Sequence, residues 1–79
     1  MKIKIIWDFR GEHAKLTAKH HAIHLKEFCD KHNIQYTTID IDTPNDYHSI
    51  AYIVTSKEHT ITIRDALKPH RAVVVDLKT

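Results

Sequence analysis

From Glu12 to His32 the chain contains neither glycine nor proline, and this unbroken run takes up a large part of a sequence of only 79 residues. The run is rich in Ala, Leu, Lys and Glu, which lose little side-chain freedom in a helix, so it predicts one continuous helix. At about 100° per residue, Ala14, Ala18, Ala22, Leu25, Phe28 and Cys29 fall on a single stripe. Asn33 supplies the stop. A helix with one apolar side has to rest that side on another element. The rest of the chain offers short β-branched runs, so a helix packed on a sheet follows.

The strands are read from period-two alternation. Lys2 to Trp7 sends Ile3, Ile5 and Trp7 to one side and Lys2, Lys4 and Ile6 to the other, and Arg10-Gly11 breaks the pattern. Ile34 to Ile41 forms a second strand, closed by turn chemistry at Asp42-Thr-Pro-Asn-Asp46. Tyr47 to Ser56 forms a third. Ser56 to Leu67 is read as a short second helix, with Thr60 to Arg64 as a hairpin strand the alternative, and Pro69 ends it. Ala72 to Val75 is the last strand.

This β-α-β-β-α-β order resembles the ferredoxin-like split βαβ arrangement, a two-layer α+β sandwich. The resemblance implies that the last strand lies at a sheet edge, although Val73, Val74 and Val75 are apolar on both faces, as in a central strand. A homodimer covering that edge would reconcile the two. The stretch Lys26-Glu-Phe-Cys-Asp-Lys-His-Asn-Ile-Gln-Tyr-Thr-Thr-Ile-Asp-Ile-Asp42 is similar to the helix-to-strand passage of thioredoxin-like domains, so a thioredoxin-like α/β fold is the alternative. The C-x-x-C redox motif of that family is absent.

Size and composition narrow the function. A chain this short supports one core, so residues 1–79 are expected to form a single domain with any site at the surface or between subunits. Cys29 has no partner cysteine, which excludes an internal disulfide and suits a reducing compartment; the opening Met1-Lys-Ile-Lys-Ile-Ile-Trp-Asp8 reads as neither signal peptide nor membrane span, and the cytoplasm is expected. The formal charge is +2, with basic and acidic residues interspersed, so neither nucleic acid nor membrane is an expected partner. The unusual feature is eight histidines, whose full protonation would raise the charge from +2 to +10.

His20 and His24 stand four residues apart, the spacing at which two imidazoles on one helical face can share a transition-metal ion. They have the outer histidines of the H-E-x-x-H zincin pattern, but His21 occupies the position of its general-base glutamate, so a metalloprotease is excluded. His13 lies on the same stripe but about 10 Å away along the axis, too far to bind the same ion. A third ligand would come from His48, His59, His70, Asp8 or a second subunit. The plainer reading is a solvated face shared with Glu27 and Lys31. His21 falls beside the apolar stripe, either as a core-edge histidine hydrogen-bonded to a strand or loop, or as a buried general base with a lowered pKa. His32 suits the negative end of the helix dipole.

Arg10, before the helix N-terminus, could hold a phosphate or carboxylate, although Gly11 reads more simply as a turn residue and Glu12 as a first-turn charge. Asp8, Asp42 and Asp76 each follow an apolar strand. In the split βαβ order, with the first and third strands taken as parallel, Asp8 and Arg10 are expected near Ser56, Lys57 and His59, with Asp42 and Asp76 at the opposite edge. Arg64, His70 and Arg71 bracket the second helix and could bind an acidic ligand, or could be solvated charges with Arg64 paired to Asp65. Leu16 and Ile23, opposite the buried stripe, could seed a helix-mediated dimer.

Together these features point to a non-enzymatic ligand-binding or regulatory module working as a homodimer, with a small anionic ligand expected. A metal-binding protein using His20 and His24 is the first alternative. The second is an acid-base enzyme in which His21 or His48 moves a proton and Arg10, Arg64 or Arg71 holds an anionic substrate. Cys29, on the buried stripe, is a poor nucleophile.

Overall fold

A computed structural model describes residues 1–75 as β1 (Lys2–Arg10), α1 (Ala14–His32), β2 (Tyr36–Asn45), β3 (His48–Ser56), a 3-10 turn (Lys57–His59), α2 (Thr60–Leu67) and β4 (Arg71–Val75). The strands form one open sheet in the order β2-β3-β1-β4, with every neighbouring pair antiparallel. The protein is therefore a small α+β structure of four strands and two helices. The parallel pairing of a thioredoxin-like α/β sheet is absent among the described residues. No helix among them is long and apolar enough to cross a membrane.

The helix stripe reads as expected: Ala14, Ala18, Leu25 and Cys29 are buried, and Asn33 ends α1 in the left-handed conformation at φ 55°. Several boundaries differ, among them the end of β1, which runs to Arg10, and the start of α2, at Thr60. Helix α1 starts at Ala14 rather than Glu12, because Gly11 (φ 112°) turns the chain and its N–H donates to the Tyr47 carbonyl at 2.8 Å. Glu12 therefore precedes the first turn. Strand β2 continues through the expected turn to Asn45, since residues 42–45 keep pairing with β3 across a register shift. The second helix is real, capped by Lys68 at φ 50° just before Pro69.

Alternation along β1 sends Ile3, Ile5, Trp7 and Phe9 toward the helices, where they meet Leu25, Cys29, Ala51, Ile53 and Ile63. Among the described residues the opposite face carries no helix, yet Ile6 and Ile50 on it are only 4% and 5% exposed. Long polar neighbours close over them. Lys4 lies 4.2 Å above the Tyr52 ring, and the register places Asp8, His48 and Arg71 around the same residues.

Strand β4 is an edge strand, not a central one, and Val73 and Val74 remain exposed. Its valines are apolar on both sides without any second neighbour to bury them.

Candidate functional site

The last residues of β1 organise two chemically distinct places, one on each face of the sheet. On the open face, the Asp8 carboxylate accepts hydrogen bonds from Arg71 Nε at 2.9 Å and Arg71 Nη2 at 3.0 Å, and pairs with His48 Nε2 at 2.8 Å. The Arg71 guanidinium beside it holds the Asp8 carboxyl below the usual carboxylate range; burial opposes this, and His48 adds to it. Arg71 is correspondingly raised by the same hydrogen bond. Asp8, His48 and Arg71 belong to β1, β3 and β4, so the cluster braces three strands.

This arrangement corrects the sequence reading. Strands β1 and β3 are antiparallel, pairing Arg10 with His48 and Lys2 with Ser56, so Asp8 and Arg10 lie beside His48 rather than near Lys57 and His59. Asp42 is not at the opposite edge either. Asp8 and Asp42 both pair with Ile50, one on each side, at about 10 Å for two strand spacings. Two strands antiparallel to the same third strand run the same way, which brings their C-terminal ends level. Asp76 lies outside the described residues.

On the helix face, His21 packs against Trp7 with ring centroids 4.7 Å apart and against Phe9 at 5.6 Å. Trp7 is itself fixed by its Nε1–H, which donates to the Leu67 carbonyl at 2.8 Å. Burial pushes the His21 pKa down, and neighbouring His24 and His70 push it further, so the ring is neutral at physiological pH. The hydrogen bond expected for His21 is missing at Nε2, which is buried without a partner among the described residues. The aromatic walls explain this, since Trp7 and Phe9 offer ring faces where a strand or loop would have offered a carbonyl.

The His21 ring, with Phe9, Thr17, His20 and His24, lines a groove of about 180 Å³, while its Nε2 is itself closed off from solvent. Helical spacing brings the three histidines to one groove, and β1 supplies its aromatic wall. Beside it, His70 Nδ1 accepts the Asp8 backbone N–H at 2.7 Å, which links the two faces through a ring that is unprotonated at Nδ1. Among the described residues no group of three or more His, Cys, Asp or Glu has the arrangement of a metal site.

The other sequence candidates are dispersed. Arg64 pairs with Asp65 at 3.2 Å on the exposed side of α2, while Arg71 serves Asp8, so the two guanidiniums do not act together. Arg10 is exposed at the end of β1. His32 stacks on Phe28 at 4.3 Å in the last turn of α1. Cys29 is buried, and burial followed by the Asp30 charge raises its thiol pKa. Leu16 and Ile23 are exposed on the outer side of α1.

Sequence reasoning missed Phe9 and Thr17 as groove residues. Carrying the β1 alternation two residues past Trp7 would have put Phe9 on the helix side. The sequence matches no protein-family model, and the comparisons with curated proteins and with solved structures gave no match.

Proposed function

We propose that this chain is a non-enzymatic module that binds a small anionic ligand in the histidine groove between α1 and the end of β1. The observation that carries the reading is His21, whose ring lines an open groove and whose buried Nε2 has no partner among the described residues, so that a small shift of the ring would offer it to a ligand. Native proteins leave few such atoms unpaired, and a ligand group is one way to satisfy them. At about 180 Å³ the groove is below the range of drug-sized sites and suits a carboxylate or phosphate group. No carboxylate lines it, whereas His20 and His24 can each add positive charge.

The finer fold name follows the same reasoning: the antiparallel order β2-β3-β1-β4 with two crossover helices supports a ferredoxin-like sandwich. A cytoplasmic setting suits the lone Cys29.

Titration with inorganic phosphate and with acetate, followed by side-chain NMR of the histidines, tests the site. Saturable shifts centred on His21, lost in His21→Phe, are expected. Uniform small shifts at all histidines, unchanged by the substitution, would refute it.

A transition-metal site is the second reading, favoured by His20 and His24 lining the same groove at helical i,i+4 spacing. The ion would complete its coordination with water or with a group from outside the chain. Titration with Zn²⁺, Ni²⁺ or Cu²⁺ decides this, because affinity unchanged in His20→Ala and His24→Ala would end it. The acid-base alternative has only the lowered pKa of His21 behind it, since Asp8, His48 and Arg71 close on one another.

A further inference from the structure

The two edges of the sheet differ in how they meet solvent. The β2 edge carries Asp40, Asp42 and Pro44 and is interrupted by register shifts between Tyr36 and Thr38 and between Asp42 and Asn45. Charges, proline and irregular pairing are the features that keep a strand edge from joining another chain. Among the described residues the β4 edge has neither proline nor a register shift: Ala72 to Val75 is uncharged and pairs with β1 in unbroken register. Its one charged residue, Arg71, is already paired with Asp8 in the same chain.

Apolar surface flanks this edge on both faces. Val73 is 46% exposed on the open face, while Val74 at 63% and Ile61 at 62% are exposed on the helix side. Between α2 and β4 lies a groove of about 290 Å³ lined mainly by Ile3, Thr60, Ile61, Ala72 and Val74, with the charged Lys57 beside them. Thr60, one of its lining residues, has a buried Oγ1 without a hydrogen-bond partner among the described residues. The short helix α2 covers this half of the sheet only in part, so strand edge, groove and exposed side chains form one surface.

We infer that two copies of this chain pair antiparallel through β4, across a two-fold axis perpendicular to the sheet. That axis keeps the helices of both copies on one side; with Val73 opposite its counterpart on the open face, Val74 lies opposite Ala72 of the second copy on the helix side. An isologous seam needs a self-complementary surface, and an uncharged apolar strand satisfies this without opposing like charges. Self-pairing of β2 would instead bring Asp40 and Asp42 toward their own copies. The β4 surface shares no lining residue with the histidine groove, so its test is independent of the ligand proposal.

Sedimentation equilibrium over a concentration series tests the pairing. Wild-type chain is expected at twice the 9.2 kDa chain mass at high concentration, and the double variant Val73→Lys, Val74→Lys at the single mass with an unchanged circular dichroism spectrum. A wild-type monomer throughout overturns the proposal. So does a dimer that survives both substitutions, which would put the seam elsewhere, such as Leu16 and Ile23 on α1. If the variant fails to fold, amide exchange of wild-type Val73 to Val75 at low and high concentration decides: protection that grows with concentration supports the seam, and exchange independent of concentration refutes it.

Discussion

Replacing His21 by phenylalanine tests the central feature of the groove, because it keeps a flat ring between Trp7 and Phe9 and deletes only the polar atoms. A buried nitrogen without a partner costs about 1–3 kcal/mol of desolvation. The His21 ring is half-buried, so the lower end of that range applies, and the variant should gain about 1 kcal/mol at neutral pH. For a chain of this length such a gain raises Tm by roughly 4–8 °C. The pH dependence gives a second reading. The native pKa of His21 is lowered, so the unfolded chain takes up this proton more readily than the native one. Its contribution to stability is then present above the unfolded value near 6.5 and is lost as pH falls through the lower native one. Phenylalanine carries no such loss, so the stability gap between variant and wild type should widen in acid. The difference between the two curves is the quantity to read, because contributions from other groups are common to both. Urea unfolding followed by circular dichroism, at neutral pH and at about pH 5, measures it. A variant less stable at neutral pH, with an acid loss parallel to wild type, would mean that His21 Nε2 has a partner and the groove argument fails.

The brace on the open face predicts that Asp8→Asn lowers stability by about 1 kcal/mol at neutral pH, a value reduced because Arg71 is half exposed. Since the Asp8 pKa is lowered, its contribution is present above the ordinary carboxylate value of 3.8 and is lost as pH falls through the lower native one; chemical denaturation at neutral and acid pH should find wild type and variant converging in acid, and a constant gap would refute the pairing. Cys29 should resist thiol reagents in the folded protein and react at once in denaturant, because its thiol is buried with a raised pKa; rapid native labelling would show that the helix stripe opens. Protonation of both His20 and His24 should weaken α1 by about 0.2–0.5 kcal/mol through like-charge repulsion at i,i+4. The far-ultraviolet helix signal should therefore fall in acid, and should fall less in His24→Gln.

Local regularities were legible wherever one residue's neighbours along the chain decided its place. The α1 stripe, its Asn33 stop and the third strand follow from composition, periodicity and end signals, whereas the segment before Pro69 stayed open between helix and hairpin strand until the structure showed α2. The boundaries at Arg10, Ala14 and Asn45 were not legible, because strand pairing extends a strand past residues whose own propensity marks a turn. Among the site residues, His20, His21 and His24 were legible as a group from helical spacing alone. The partners of His48 and Arg71 were not, since the direction of β1 relative to β3 decides whether Asp8 meets His48 or the other end of that strand.

By itself, the amino-acid order determined that this chain builds one long helix, places three imidazoles along one stretch of it and buries its only thiol. Those outcomes depend on interactions a few residues apart, which composition and spacing encode directly. Only the tertiary structure decided that Asp8 is held by residues 40 and 63 positions away, that Trp7 and Phe9 leave His21 without a hydrogen bond, and that the valine-rich strand stands at an edge. Those outcomes depend on strand order and direction, and one alternating pattern is compatible with several sheets until the helices select which faces are covered.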